Sequence, residues 1–354
     1  MLRARSDSES NVSTPALSIL YVGTASGTCL GRARALESLG HRIRFIPAGL
    51  PRTPLAFTVY RVGHHLDRPP DLFGANREIL RSVAREPFDL LWVDRGREIR
   101  AATLRRLRRI APGLRMVSYS PDDMMSRHNT SVAYRACIPI YDLHVTTKSY
   151  NVAELRALGA REVFFVEKGY DPEVHRPIEL TVADRERFAC DVGFVGYFEE
   201  DRARMMLRLA ESGIPVAVHG PRWSHLAHAH PNLIIRGGYL DGDDYAKAIC
   251  AARINLGFLR KSARDLHTAR SVEIPACAGF MLAERTDEHR RLFEEGVEAE
   301  FFAGFEELLE KCRHYLTHES ERAAIAAAGR RRCLEGRYDN AARLTAVLEQ
   351  VRSV

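Results

Sequence analysis

The stretch ARDLHTARSVEIPACAGFMLAE (263–284) concentrates the residue types that do chemistry on a phosphorylated ligand. Its spacing predicts a helix opening near His267, with Arg270 and Glu273 at i and i+3 on one face. The small-residue turn PACAG ends that helix and launches a strand. A carboxylate one turn into such a helix can accept both vicinal hydroxyls of a ribose. Arg270 and the amides around His267 and Thr268 can hold a diphosphate. The competing reading is a surface ion pair on an ordinary helix.

Two segments nearer the N-terminus are candidates for the other half of a reaction. YVGTASGTCLGR (21–32) reads as a strand, a Gly-rich turn and a helix start, so Gly23 and Thr24 offer close backbone approach to a sugar hydroxyl or anion. It is neither G-x-G-x-x-G nor the Walker pattern, which argues against a dedicated dinucleotide or ATP site. SYSPDDM (118–124) follows an apolar strand, so Asp122 and Asp123 emerge at a strand end, where an ionised carboxylate can deprotonate a hydroxyl. Asp94, closing LLWVD, is a second contender, and Pro-Asp-Asp is also an ordinary turn sequence.

Three features look functional and have plainer readings. Asp241-Gly242-Asp243 spells a D-x-D metal signature but precedes a helical run, where it reads as a helix start with acidic first-turn residues. His225, His228 and His230 crowd one loop without a carboxylate or cysteine, which favours a solvated loop over zinc. The basic run 100–115 has apolar residues at helical spacing between its arginines. It is a helix with one buried and one cationic face, and it leaves a weak membrane-surface contact open. No metal site is expected.

These residues need elements to carry them. Strand-like apolar runs occur at 17–23, 42–46, 88–93, 115–119, 142–146 and 162–166, and again at 190–196, 214–219, 232–236, 253–258, 279–283 and 299–302. Continuous apolar strands alternating with amphipathic helices imply parallel sheets covered on both faces. Six and six imply an α/β protein of two facing Rossmann-like domains, whose ligands bind at the carboxyl ends of the strands. The expected organisation is a disordered tail over 1–14, an N-terminal domain over 15–168 and a linker at 169–178, where two prolines forbid a continuous helix. A C-terminal domain follows over 179–335, and a helix over 336–354 is expected to pack back on the N-terminal domain. Ser320 reads as the cap of a long helix with a bend at Gly329.

Composition agrees. The chain has 354 residues, 45% hydrophobic and 28% charged, with 52 Lys and Arg against 46 Asp and Glu. That mild excess does not require nucleic acid and suits an anionic small molecule. No apolar run approaches the length of a membrane span. The seven cysteines are scattered without a C-x-x-C pair, which points to a reducing cytoplasm rather than disulfides or structural zinc.

The C-terminal motifs resemble a known family. HTARSVEIPACAGFMLAERTDEHRRLFEEGVEAEFF with EELLEKCRHYLTHESERAAIAAAGRRR is similar to the C-terminal domain of CgeB-like, spore-maturation-type glycosyltransferases, a GT-B group related to glycosyltransferase family 4. DVGFVGYFEEDRARMMLRLAESGIPVAVHG, VEKGYDPEVHRP and WVDRG with SYSPDD match the order expected there. The resemblance covers roughly residues 85–340.

It implies a metal-independent transferase with no essential cofactor. Such an enzyme moves a sugar from a UDP- or GDP-sugar to a hydroxyl of a glycan, protein or small molecule. The C-terminal domain would bind the donor and the N-terminal domain the acceptor. Glu273 takes the place of the second glutamate of an E-x7-E signature, at the ribose, and Asp265 stands at the first position, a shorter carboxylate than the family pattern. Arg202, Arg260 and Lys261 become candidates for the diphosphate, Tyr239 and Leu240 for the base, and His219, Gly220, Trp223 and His267 for the walls of the pocket. A nucleotide-sugar epimerase of the same fold and a non-catalytic nucleotide-sugar-binding protein are the alternatives.

Overall fold

The computed structural model describes residues 15–49 and 53–354; the tail expected over 1–14 lies outside the described residues. All twelve expected strands form. The first six are β1 (Ser18–Gly23), β2 (Arg42–Pro47), β3 (Leu90–Asp94), β4 (Arg115–Ser120), β5 (Leu143–Thr146) and β6 (Glu162–Phe165). The second six are β7 (Cys190–Val195), β8 (Val216–His219), β9 (Leu233–Ile235), β10 (Ala252–Gly257), β11 (Met281–Glu284) and β12 (Glu300–Phe302).

They make two six-stranded sheets, ordered β2-β1-β3-β4-β5-β6 and β12-β11-β10-β7-β8-β9. The described pairings are parallel, as in Ile19↔Leu90 and Asn255↔Met281. This is the α/β architecture of two parallel sheets that strand rhythm predicted. Strands covered on both faces have no polar alternation to keep, which is why β3 is buried at every position while the edge strand β2 is not.

Two compact units result, one of residues up to Tyr119 with Ser131–Asp142, the other of Ser120–Thr130 with Leu143–Val354. The first has a core of Leu20, Val22, Leu91, Val93, Leu104 and Met116 with their neighbours. In the second, Leu282 faces one core with Phe194 and Phe258, while Met281 and Ala283 face another with Val272 and Phe301. That alternation buries both sides of one strand. Residues 166–180, which include the expected linker, carry no helix or strand and belong to the second unit.

Two local expectations change. The helix placed near His267 begins at Arg270 and spans only Arg270–Ala276. His267 is fully buried and tied to Lys168 and Glu288, and the Thr268 amide donates to Ser271 Oγ at 3.0 Å, so tertiary contacts and a local turn hold this stretch out of the helix. The long C-terminal helix is Glu319–Glu335 with His318 at its cap, so Ser320 lies inside it, and it runs unbroken through Gly329. A Cβ there would stand 2.3 Å from the Glu298 carbonyl oxygen; the glycine allows close packing rather than a bend.

Candidate functional site

In the second sheet the strand order reverses between β7 and β10, so the loops leaving these two strands part in opposite directions and leave a crevice. Arg202, on the helix Glu200–Glu211 that follows β7, bridges it. Its Nε donates to the Leu259 carbonyl at 3.3 Å and a terminal nitrogen donates to the Tyr197 carbonyl at 3.1 Å. The residue is 3% exposed. Its guanidinium and that of Arg270 each lie 5.7 Å from the Phe194 ring centroid. Burial, then Arg270 and Arg260 nearby, lowers the Arg202 pKa to about 10. Glu199, at 4.0 Å, opposes them. Arg270 Nε is buried with no hydrogen-bond partner among the described residues. Three guanidiniums therefore crowd one crevice, with Glu199 4.0 Å from Arg202 and with Asp122 and Asp265 3.6 and 3.8 Å from Arg260, while no carboxylate pairs with Arg270 among the described residues. Lys261 is 67% exposed and 3.9 Å from Asp201, at the rim of this cluster rather than in it.

Glu273, one turn along from Arg270, accepts a hydrogen bond from the Tyr245 hydroxyl at 2.5 Å and lies 3.5 Å from His175 Nε2. Tyr239 and Tyr197 are exposed. The Tyr239 phenol is raised by burial and by Asp241, Tyr197 and Glu273, which places those groups within electrostatic reach of one another. Leu240 beside it is half-buried. At the end of β8, a Cβ on Gly220 would fall 2.0 Å from the Gly196 carbonyl, and φ is +149°, so only glycine fits where the β7 and β8 turns meet. His219 is buried, and its Nε2 has no hydrogen-bond partner among the described residues. Trp223 does not line a pocket: it is buried against Phe194 and Phe198, and its indole N–H donates to the Gly196 carbonyl at 2.9 Å.

The segment carrying Asp122 and Asp123 is locked to the loop after β10. Asp123 accepts from the Met125 and Ser126 amides, from Asn151 and from two nitrogens of Arg264. Burial works to raise its pKa, but the Arg264 and Asn151 hydrogen bonds win and lower it. A carboxylate so fully engaged is a fastener. Arg264, in a left-handed conformation at φ +52°, also pairs with Glu154 at 2.8 Å and lies over the Tyr150 ring at 4.4 Å. Asp265 is held by the buried Lys148 and lies 3.8 Å from Arg260 Nε. Asp122, the other carboxylate of the SPDD turn, lies 3.6 Å from Arg260. Sequence reasoning missed Lys148, Glu154 and Arg264; a lysine emerging straight from a buried strand end, as Lys148 does after β5, was the available signal.

Behind these loops His267 is neutral: its Nε2 accepts the Lys168 amide, and its Nδ1–H meets Glu288. Burial lowers its pKa against the opposing pull of Glu288. His289 is fully buried too, its Nδ1–H donating to the Glu284 carbonyl and its Nε2 accepting from Ser271, and burial lowers it to about 4. Above pH 6.5 neither folded nor unfolded His289 is charged. Between pH 6.5 and 4 the unfolded chain binds a proton that the folded one refuses, so stability falls by about 3 kcal/mol across that window. Urea unfolding at pH 7 and pH 4.5 checks this, with His289→Gln expected to flatten the difference; an unchanged slope in that variant overturns it.

In the first unit, Asp94 closes β3. One of its oxygens accepts from the Tyr21 hydroxyl at 2.8 Å and from Arg32 Nε at 2.9 Å, and also pairs with Arg32 at 2.6 Å; the other is buried with no partner among the described residues. Gly23 and Thr24 leave β1 in the same unit, and a Cβ on Gly23 would meet Cys29 Sγ at 2.4 Å. Of the D-x-D carboxylates, Asp243 pairs with Arg176 at 3.0 Å, and Asp241 stands before the helix Gly242–Ala251 without a side-chain capping bond; the next residue, Asp244, pairs with Arg187 at 2.9 Å. Among the described residues no cluster of three His, Cys, Asp or Glu could hold a metal ion, and no helix is long and apolar enough to cross a membrane.

With this geometry in place, residues 202–349 match the family model described as glycosyl transferase-like. The transferase class expected from the C-terminal motifs agrees with that match. No curated protein matches at a significant level. Solved structures share the fold. Sucrose-phosphate synthase from Thermosynechococcus elongatus is 12% identical with a TM-score of 0.66, over 95% of this chain and 99% of that one. Anabaena HepE, solved with UDP and glucose, is 13% identical with a TM-score of 0.63, over 96% and 100%. A glycosyltransferase from Rickettsia africae is 13% identical with a TM-score of 0.63, over 96% and 99%.

Proposed function

We propose that this glycosyl transferase-like chain moves a sugar from a nucleotide-diphosphate sugar to an acceptor hydroxyl, as a GT-B enzyme of the CgeB-like type that needs no metal. One observation carries the reading: Arg202, Arg260 and Arg270 crowd the switch-point crevice of the second sheet, and the buried Nε of Arg270 has no hydrogen-bond partner among the described residues. A half-buried cationic cluster of this kind attracts an anion, and two linked phosphates supply it. The same cations stabilise the diphosphate as the bond to the anomeric carbon breaks, supplying the charge a metal would otherwise bring.

Glu273 meets the ribose hydroxyls, and Tyr239 with Tyr197 meets the base. Uridine is the favoured base, since the fold relative HepE was solved with UDP. Asp122, in the SPDD turn that follows β4 and 3.6 Å from Arg260, takes the acceptor proton. The first unit, with Asp94, Gly23 and Thr24, binds the acceptor, whether glycan, protein or small molecule. The seven free thiols suit a reducing cytoplasm.

Unfolding in the presence of UDP, GDP and ADP tests the donor site. A nucleotide at 100 times its dissociation constant adds about 2.7 kcal/mol of stability. Glu273→Gln keeps an acceptor for the Tyr245 hydroxyl but loses the carboxylate, so it should weaken the preferred nucleotide by about tenfold, or roughly 1.4 kcal/mol. No stabilisation by any nucleotide diphosphate, or unchanged affinity in Glu273→Gln, overturns the assignment. Donor sugar released slowly to water marks a transferase, and an interconverted donor sugar marks the epimerase instead.

A further inference from the structure

The helix Pro54–His65 in the first unit is amphipathic with its apolar stripe turned the wrong way. Leu55, Val59, Val62 and, just past the end, Leu66 fall within about 60° of one another around the helix. All four are exposed, Leu55 at 78% and Leu66 at 67%. The side turned inward is carried by Tyr60, which is buried, with Ala56, Gly63 and His64 beside it half-buried. An aliphatic row open to water, on a helix that already buries its other face, is not core; it is a surface awaiting cover.

What flanks the row identifies the cover. Arg61, His65 and Arg68 are exposed beside it. A solvent-open cavity of about 670 Å³, lined by Phe57, Tyr60, Arg61, Val62, Leu66 and Arg97 among others, has no acidic residue in its lining. Residues 53–119 hold 13 arginines against seven Asp and Glu, so this part alone matches the chain's whole formal excess of +6. We infer that this helix lies in the interfacial plane of an anionic lipid bilayer, with the Leu55–Val59–Val62–Leu66 row among the acyl chains and the arginines at the headgroups.

A second copy of the chain is the weaker occupant. A stripe on a 12-residue helix is about 18 Å long and about 10 Å wide, far short of the roughly 800 Å² per partner that a stable dimer buries. Pairing like faces would also set arginines against arginines. The inference stands independently of the donor-site reading above.

Flotation of the full chain with vesicles of phosphatidylglycerol and phosphatidylcholine in equal parts tests it. Binding is expected at low salt, falling as salt rises, and absent on phosphatidylcholine alone. Val59→Asp with Val62→Asp, both at exposed positions, should cut the bound fraction at least tenfold while leaving the melting temperature unchanged. The native Trp92 and Trp223 are buried, so Val59→Trp adds a surface reporter whose emission should shift to the blue only with the anionic vesicles. No binding by the unaltered chain, undiminished binding by the double Asp variant, or no blue shift overturns the inference. So does a concentration-dependent dimer that the double Asp variant abolishes.

Discussion

Arg270→Leu is expected to melt at a higher temperature than the unaltered chain and to lose at least about a hundredfold in affinity for its nucleotide diphosphate. The two effects have one origin. Without a bound anion Arg270 is a cost, because its charge lowers the pKa of buried Arg202 and its own Nε has no partner among the described residues. An apolar side chain over the Phe194 ring removes the repulsion and keeps the packing. With a diphosphate bound, the same charge becomes an attraction, and removing it forfeits a charge-assisted hydrogen bond in a site shielded from water. Calorimetric melting and equilibrium titration with UDP read the opposed signs. A variant less stable without ligand, or equally tight with it, removes the ground for calling the cluster an anion site.

Asp94→Ala in the first unit has the other large effect. It strands the Arg32 guanidinium, which is nearly sealed from water, and takes the acceptor from the Tyr21 hydroxyl. Breaking a buried ion pair from one side costs about 3–5 kcal/mol, while replacing both partners with apolar groups of similar size is close to neutral. Asp94→Leu together with Arg32→Met should therefore recover most of what Asp94→Ala loses. Denaturant unfolding of the single and double variants checks this. A loss below about 1 kcal/mol in Asp94→Ala would mean that the pair is solvated after all.

The strands were legible because burial on both faces leaves no polar alternation: LLWVD and VAVH read as continuous apolar runs and form β3 and β8. That Arg270 and Glu273 share a helix following a strand was legible in local spacing, whereas Arg202 came only from the family resemblance. The start of the Arg270–Ala276 helix was not, since buried contacts of His267 with distant Lys168 and Glu288 set it. The fasteners were invisible for the same reason. Lys148 and Asp265 are 117 residues apart, and Asp123 and Arg264 are 141 apart, separations that no local periodicity records. Trp223 misled in the opposite direction: a large aromatic after a strand end looked like a pocket wall and proved to be packing.

Those long-range fasteners bear on how such chains can be recombined. The composition suggests cutting at the proline-bearing stretch 169–178, yet Asp265 keeps its buried countercharge only if Lys148 comes with it, and Arg264 keeps Asp123 and Glu154 only if both segments travel along. A chimaera joined at Gly169 would graft the C-terminal half without its own counterions. The portable module instead includes residues 120–130 and everything from Leu143 onward, a discontinuous piece that simple splicing cannot exchange.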